Sequence, residues 1–387
     1  MNQFFTQTKS PSVCFVHDWL VTMRGGEKVL EAMAELFPAA PIYTLFYKRQ
    51  KLSPFLQARK IHASFLQCLP GIEHYYRFLL PLFPLAVRLM NVSNYDLVIS
   101  SSHCVAKAVK TRRKAVHICY CHTPMRYLWG FHESYFGNFS VLIRKLIEVF
   151  FYFLKKWDIQ TSQKVDYFIA NSNNTAQKIK KIYNRDSVVI HPPFDPVPAK
   201  SHAIKKPENY YLVVSALVQY KRIDLAIEAF NRLGKSLLIV GEGPLKEDLV
   251  KLVRSKEIRF EGWLDQKMLW ERYANCKALI FPGEEDFGIV PLEAQSFGKP
   301  VIAFGRGGVT ESVIPANREP RPLTETSGLF FDDPTPEALI RCVEQSENLS
   351  FNETFICSHV QEFGKDHFQQ KIRNFLISID PHLGSES

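Results

Sequence analysis

Two carboxylates, Glu285 and Glu293, stand eight residues apart around the start of a short helical pattern, in the stretch FPGEEDFGIVPLEAQSFGKPVIAFGRGG from Phe281 to Gly308. An apolar run, Ala278 to Phe281, reads as a strand. Pro282 and Gly283 end it, and a loop carrying Glu284, Glu285 and Asp286 follows. Phe287 and Gly288 lead into a helix with Pro291 near its first turn and Gly298 and Pro300 at its close, the usual asymmetry of helix ends. A second apolar strand, Val301 to Phe304, runs out into Gly305, Gly307 and Gly308. The first amides of the helix, those of Gly288, Ile289 and Val290, lack carbonyl partners within it and favour a phosphate. Carboxylates beside a phosphate repel it but accept hydrogen bonds from hydroxyls on either side. Ribose, diphosphate and sugar in sequence present that pattern. The plainer alternative makes Glu285 a charge at a helix start and Glu293 a solvated side chain.

Other candidates fall at the ends of apolar runs. Tyr210 to Ser215 reads as a strand, and the loop Ala216 to Tyr220 leads to Lys221 and Arg222. A helix with Ile223, Ala226, Ile227 and Phe230 on one face comes next, so the cations stand at a second phosphate-ready helix start. Asp96 to Ser100 leads to Ser101, Ser102 and His103. Val116 to Cys121 leads to His122, Thr123, Pro124 and Arg126, and Val165 to Ala170 leads to Asn171, Ser172 and Thr175. Val13 to His17 is followed by Asp18, Trp19 and then Gly25 and Gly26, with a helix starting near Glu27 and bearing Val29, Leu30, Met33 and Leu36. If the strands are parallel, all these ends share one edge, where ligands bind in open α/β sheets. His103 and His122 each also read as strand-end histidines satisfied by backbone, and Gly25-Gly26 as a plain turn. His117, Cys119, Cys121 and His122 would suggest zinc, but no second ligand pair is spaced for a tetrahedral site. No Asp-x-Asp pair occurs, and we expect no metal and no cofactor.

Glu285-x7-Glu293 with Phe287-Gly288 inside it, and Gly307-Gly308-x-x-Glu311 after it, resembles the signature of the retaining nucleotide-sugar glycosyltransferases of family 4. The segments SSSHCVAKAV and YCHTPMRYLW resemble a mannosyltransferase-rich branch of that family, and the likeness runs from about Val13 to Phe375. The resemblance implies the GT-B fold: two α/β, Rossmann-like domains whose parallel sheets face a central cleft. It implies that Glu285 contacts the donor sugar and Glu293 the ribose. Lys221 would meet the diphosphate, Gly25-Gly26 would lie under the donor, and the Gly262-Trp263 loop by the nucleotide base. The sequence departs from the family at one place: an Arg is usual five residues before the Lys, and Ala216 stands there. That Arg binds the donor diphosphate in the family, and Arg222 is the nearest substitute.

These residues need two domains to carry them, and 387 residues suffice. We expect an N-terminal domain over 1–200, a C-terminal nucleotide-sugar domain over 201–364, and a last helix, about 365–387, returning to the first domain. Helical spacing at Phe363, Phe368, Ile372 and Phe375 supports that helix. The Pro- and Lys-rich run Ile190 to Asn209 reads as the linker. The net charge of +9 is unevenly placed: residues 1–200 carry 26 Lys and Arg against 12 Asp and Glu, whereas the remainder carries 22 against 27. Such a basic half suits an acidic partner. Without a helix-turn-helix, zinc-finger or RNP-like motif, an anionic membrane surface ranks above nucleic acid.

The segment Ile72 to Met90 is aromatic and apolar with Arg77 and Arg88 inside it, while Phe139 to Trp157 is a basic amphipathic helix pattern that can lie in the plane of a membrane or else pack in the core. Aromatic-rich helices and a basic surface would fit an acceptor attached to lipid. No run is long and apolar enough to span a bilayer. Eight scattered cysteines suit a reducing compartment, and the first residues, MNQFFTQTKSPS, lack the apolar core of a secretory leader. The expectation is a cytoplasmic enzyme, peripheral on the inner face of the membrane. It would move a hexosyl group, mannosyl from GDP-mannose foremost, to a free or lipid-linked saccharide in surface-polysaccharide synthesis, with Glu285, Lys221, His122 and His103 in the catalytic roles. The alternatives are a nucleotide-sugar epimerase or phosphorylase, or a degenerate nucleotide-sugar binder of a polysaccharide assembly complex.

Overall fold

A computed structural model of the chain describes residues 11–129, 141–195 and 208–383. The proposed linker's centre and the start of the Phe139 to Trp157 segment lie outside the described residues, as do the first ten. The chain divides into two compact units: residues 1–193 together with 365–387, and residues 194–364.

The first unit is built on a seven-stranded sheet. Its strands are β1 (Val13–His17), β2 (Ile42–Thr44), β3 (Ile61–Ala63), β4 (Leu97–Ser102), β5 (Val116–Cys121), β6 (Tyr167–Ala170) and β7 (Ser187–Val189), in the spatial order 3-2-1-4-5-6-7. Every pairing is parallel. Parallel strands are covered on both faces, so they read as continuous apolar runs, and β1, β4 and β5 are buried along their whole length. Alternation divides their side chains. Phe15, Ile99, Ile118 and Tyr120 face one layer with Val29, Leu30 and Met33. Cys14, Val16 and Val98 face the other with Phe83, Val87, Phe151 and Leu154.

The second unit has six strands: β8 (Tyr211–Val214), β9 (Leu237–Val240), β10 (Ile258–Glu261), β11 (Leu279–Phe281), β12 (Val301–Phe304) and β13 (Gly328–Phe331). Their order is 10-9-8-11-12-13, again all parallel. This is the doubly wound order 3-2-1-4-5-6, in which the chain reverses its direction of travel beside the first strand. Each sheet thus has one switch point, between β1 and β4 in the first and between β8 and β11 in the second.

The last helix, Lys365–Ile379, belongs to the first unit. Phe368, Ile372 and Leu376 enter the same apolar layer as Phe15 and Leu30. Gln369 Nε2 donates to the Ala32 carbonyl at 2.9 Å and to Glu35 at 2.8 Å, and Lys365 pairs with Glu35 at 3.1 Å.

Several boundaries differ from those read in the sequence. β4 runs on through Ser101 and Ser102, because those serines stay in the ladder opposite Tyr120 and Cys121 of β5. β6 begins at Tyr167, since Asp166 turns the chain by accepting from the His117 amide at 2.7 Å. Gly25 and Gly26 form no turn; they are the first residues of the Gly25–Glu35 helix, in which Glu27 accepts from the Arg24 amide at 3.1 Å. Ile72 to Met90 breaks into three short helical pieces, with Pro81 inside the second. Among the described residues, no helix is long and apolar enough to cross a membrane.

Candidate active site

In the second unit, the β8–β11 switch point brings Lys221 and Glu285 together. Lys221 Nζ is ion-paired with Glu285 Oε1, both side chains being largely buried. Two glycines make this approach possible. A Cβ on Gly283 would lie 2.7 Å from Lys221 Cα and 2.8 Å from the Tyr220 carbonyl oxygen. A Cβ on Gly307, whose φ is +79°, would lie 2.4 Å from the Glu285 carbonyl oxygen. That carbonyl accepts from the Gly308 amide at 2.9 Å, so the glycine turn after β12 holds the carboxylate loop from behind.

Glu293 lies in the Val290–Ser296 helix, and its Oε2 accepts from the hydroxyl of Tyr273 at 2.7 Å. Tyr273 is fully buried against Phe297, and burial raises its phenol pKa well above the usual value, with Glu293 adding to the effect. Its proton therefore stays in place for the carboxylate. Gly288 (φ +87°), Ile289 and Val290 stand at the start of this helix, with Ile289 as its N-cap.

Three further candidates read from the sequence have these surroundings. Arg222 adopts a left-handed conformation (φ +53°) and turns its guanidinium onto Asp224 at 3.3 Å. Ala216 itself is exposed. The ring of Phe287 is buried in an apolar cluster with Phe194, Leu292, Val360 and Phe363, where it anchors the helix. Gly262 and Trp263 follow β10, two strands away from β8, and the Trp263 side chain is exposed.

The first unit carries a second polar cluster, at its β1–β4 switch point. Asp18 is fully buried directly after β1. Its Oδ2 accepts from the amides of His103 and Cys104 at 2.7 and 2.9 Å, and its Oδ1 from those of Val105 and Ala106, both at 2.7 Å. One carboxylate thus fixes the turn that carries His103, whose Nδ1 lies 3.3 Å from Asp18 and whose ring meets Trp19 edge-on at 4.5 Å.

The sheet register places His17 opposite Ser101. Ser101 Oγ bridges His17 Nδ1 at 3.0 Å and His122 Nε2 at 2.8 Å. Gly26 packs against the same pair, its missing Cβ lying 3.7 Å from His122 Nε2 and from His17 Cε1. Burial, with lesser contributions from neighbouring positive charge, pushes His17, His103 and His122 down to about 3. All three are neutral at physiological pH, so the cluster is built from neutral donors and acceptors. The serine has one proton to give. If it donates to His122 Nε2, His17 donates to the serine, and the His122 proton sits on Nδ1. The opposite arrangement would leave an unpartnered N–H on His17 Nε2, which is buried without a hydrogen-bond partner among the described residues. Buried orphan donors are rarer than orphan acceptors, so the first arrangement is preferred.

From sequence, His17, Asp18 and Ser101 were placed at strand ends without a role in the site, and Tyr273 was not named. The signal for Asp18 was local, a charged residue immediately after a buried strand. The others depend on register and helix packing across distant segments. His117 belongs elsewhere: its Nε2 bonds Ser100 Oγ at 2.9 Å inside the core, while Cys119 and Cys121 pack with Phe168 and Tyr183. Among the described residues no group of three or more His, Cys, Asp or Glu side chains is arranged to hold a metal ion.

Two family patterns match adjoining parts of the chain: Glycosyltransferase Family 4 over residues 23–197 and Glycosyl transferases group 1 over residues 197–354. The alpha-1,3/1,6-mannosyltransferase of Kluyveromyces lactis is 26% identical over 62% of this chain and 56% of its own length. The O-antigen chain mannosyltransferase C of Escherichia coli is 26% identical over 51% of this chain and 58% of its own. These matches span little more than half the length of either relative. Among solved structures, the lipopolysaccharide outer core galactosyltransferase WaaB superposes with a TM-score of 0.62 at 17% identity, covering 95% of this chain and 99% of that one.

Proposed function

The chain belongs to the group 1, family 4 glycosyltransferases and has their GT-B fold, and we propose that it transfers a hexosyl group, mannosyl from GDP-mannose foremost, to a saccharide hydroxyl with retention of anomeric configuration. The observation that carries this reading is the Lys221–Glu285 pair at the second sheet's switch point, with Glu293 held by Tyr273 in the helix that follows. The mannosyl preference takes its support from the two mannosyltransferase relatives and from the segments Ser100–Val109 and Tyr120–Trp129. We further propose that the acceptor saccharide is lipid-linked and used at the cytoplasmic face of a membrane in surface-polysaccharide synthesis.

In this mechanism the bond from the anomeric carbon to the diphosphate oxygen breaks as the acceptor oxygen bonds the same carbon. The acceptor proton passes to the departing phosphate oxygen. Lys221 and the amides of Gly288, Ile289 and Val290 meet the developing negative charge, so the step runs on protein groups alone. Glu285 is drawn from Lys221 to the sugar hydroxyls when the donor's phosphates take up the lysine. Glu293, oriented by Tyr273, accepts from the ribose hydroxyls. Neutral His122 donates through Nδ1 to a substrate oxygen, and His103, on the turn fixed by Asp18, steadies the incoming saccharide.

A thermal-shift screen against nucleotide sugars identifies the donor, because a ligand of the folded state raises the midpoint by mass action. Labelled transfer from that donor should then be lost in Glu285→Gln while the nucleotide still binds. Full transfer by that variant would remove Glu285 from the chemistry. Ala216 and the Arg222–Asp224 pairing favour one second reading, a binder with a weakened grip on diphosphate. Donor binding without transfer to any of a broad set of acceptors would select it.

A further inference from the structure

We infer that the segment Tyr76–Arg88 of the first unit is a docking face for an anionic lipid bilayer. The segment is a 3-10 stretch, Tyr76–Leu82, followed by a short α-helix, Phe83–Arg88. Its inner side is ordinary core: Leu80, Phe83, Ala86 and Val87 are buried in the apolar layer on one face of the sheet. Its outer side is also apolar. Phe78 is 80% exposed and Leu89 64%, with Leu82 and Leu85 exposed between them. Single exposed apolar residues are commonplace, but four at a spacing of 4, 3 and 4 residues form a stripe.

Along the segment itself the charges have one sign. Arg77 and Arg88 are exposed along it, and no Asp or Glu occurs from His74 to Tyr95. The long helix Val141–Ser162 packs on the same apolar layer through Phe151 and Leu154, and it turns Val149, Tyr152 and Phe153 outward, with exposed Lys145 and Lys156 against one exposed acid, Glu148. Leucine and phenylalanine at acyl depth with arginine at headgroup level is the chemistry of an interfacial segment. The charge complementarity is with anionic lipid, in a half of the sequence whose Lys and Arg outnumber Asp and Glu 26 to 12. The opposite layer of this sheet is closed by the Lys365–Ile379 helix, so the two faces are finished differently.

The inference deepens the lipid-linked acceptor reading and takes its purpose from it, but it is measured without turnover. The purified chain is sedimented with phosphatidylcholine vesicles, with or without phosphatidylglycerol. The expected result is binding to the anionic vesicles that weakens as salt rises. Leu82→Glu/Leu85→Glu should bind at least tenfold more weakly. Arg77→Gln/Arg88→Gln should lose about fivefold per arginine on anionic vesicles. All four positions are exposed, and an unchanged melting temperature confirms that the variants are folded. Transfer to a water-soluble acceptor should be the same in all three proteins, so loss of docking and absence of activity are read apart. Equal binding of the wild type to neutral and anionic vesicles would overturn the proposal, as would undiminished binding by the leucine variant. Sedimentation velocity gives a third test: self-association abolished by Leu82→Glu/Leu85→Glu would show that the face belongs to a second copy instead.

Discussion

Replacing Asp18 by Asn changes one oxygen to an NH2 group and nothing in size, at a residue with no solvent exposure. The wild-type carboxylate receives four backbone N–H groups at 2.7 to 2.9 Å, two on each oxygen. The amide oxygen of Asn can keep one pair. Its nitrogen then faces the other two donors, and neither rotamer avoids this. A hydrogen bond to a charged group contributes about 1.5–3 kcal/mol, so two lost bonds amount to about 3–6 kcal/mol. That is a large share of the roughly 5–15 kcal/mol that holds a domain folded. The damage is local to the turn after β4, so amide hydrogen exchange is the suitable assay. Exchange at His103, Cys104, Val105 and Ala106 should accelerate by about two to four powers of ten. Amides of β9, in the other unit, serve as the internal control. His103 rides on the same turn, so transfer should fall together with protection. If the four amides exchange within about threefold of wild type, the carboxylate is not what secures the turn and the reasoning fails.

Ala216→Arg should raise turnover about tenfold or more, the worth of one charge-assisted phosphate contact; a fall in kcat would mean that the space beside Ser215 is needed for something else. Tyr273→Phe removes the 2.7 Å donor to Glu293 and should raise the donor KM about tenfold with a smaller change in kcat. An unchanged KM would detach Glu293 from nucleotide binding. His17 and His117 are buried and held neutral, at about 3 and about 4 against an ordinary 6.5. From pH 6.5 downward the unfolded chain therefore binds protons that the folded chain refuses. The first unit should lose about 1.4 kcal/mol per pH unit for each of them, read by urea unfolding at pH 7.5 and 5.5; equal stability at the two pH values would contradict that. The neutral state of His103 and His122 also predicts a transfer rate without an inflection between pH 6 and 8 from either residue.

Much of the second site was legible in the sequence because its parts are close along the chain. Glu285, the helix start and the glycines of 305–308 lie in one strand–loop–helix–strand unit, and capping residues mark its boundaries. Even there, the sequence could not say that Gly283 and Gly307 exist to let backbones approach, since that depends on where Lys221 arrives. The first site was only half legible. His103 and His122 are conspicuous at strand ends, but the serine joining His122 to His17 follows from the pairing of β1 with β4, 84 residues apart in sequence. For Arg222 the sequence offered only proximity to Lys221; its left-handed backbone and its pairing with the Asp224 carboxylate two residues on were not readable from it. Phe287 was picked out because it lies inside the signature; that its ring packs with Phe194, Leu292, Val360 and Phe363 depends on distant segments.

The Lys365–Ile379 helix has a consequence for synthesis. Translation delivers the first unit's sheet early, but Phe368, Ile372 and Leu376, which complete one of its apolar layers, leave the ribosome only after the entire second unit. The portion begun first is thus finished last. A chain truncated before residue 365 and released from the ribosome should show a protease-resistant second unit and a first unit that is still open to cleavage.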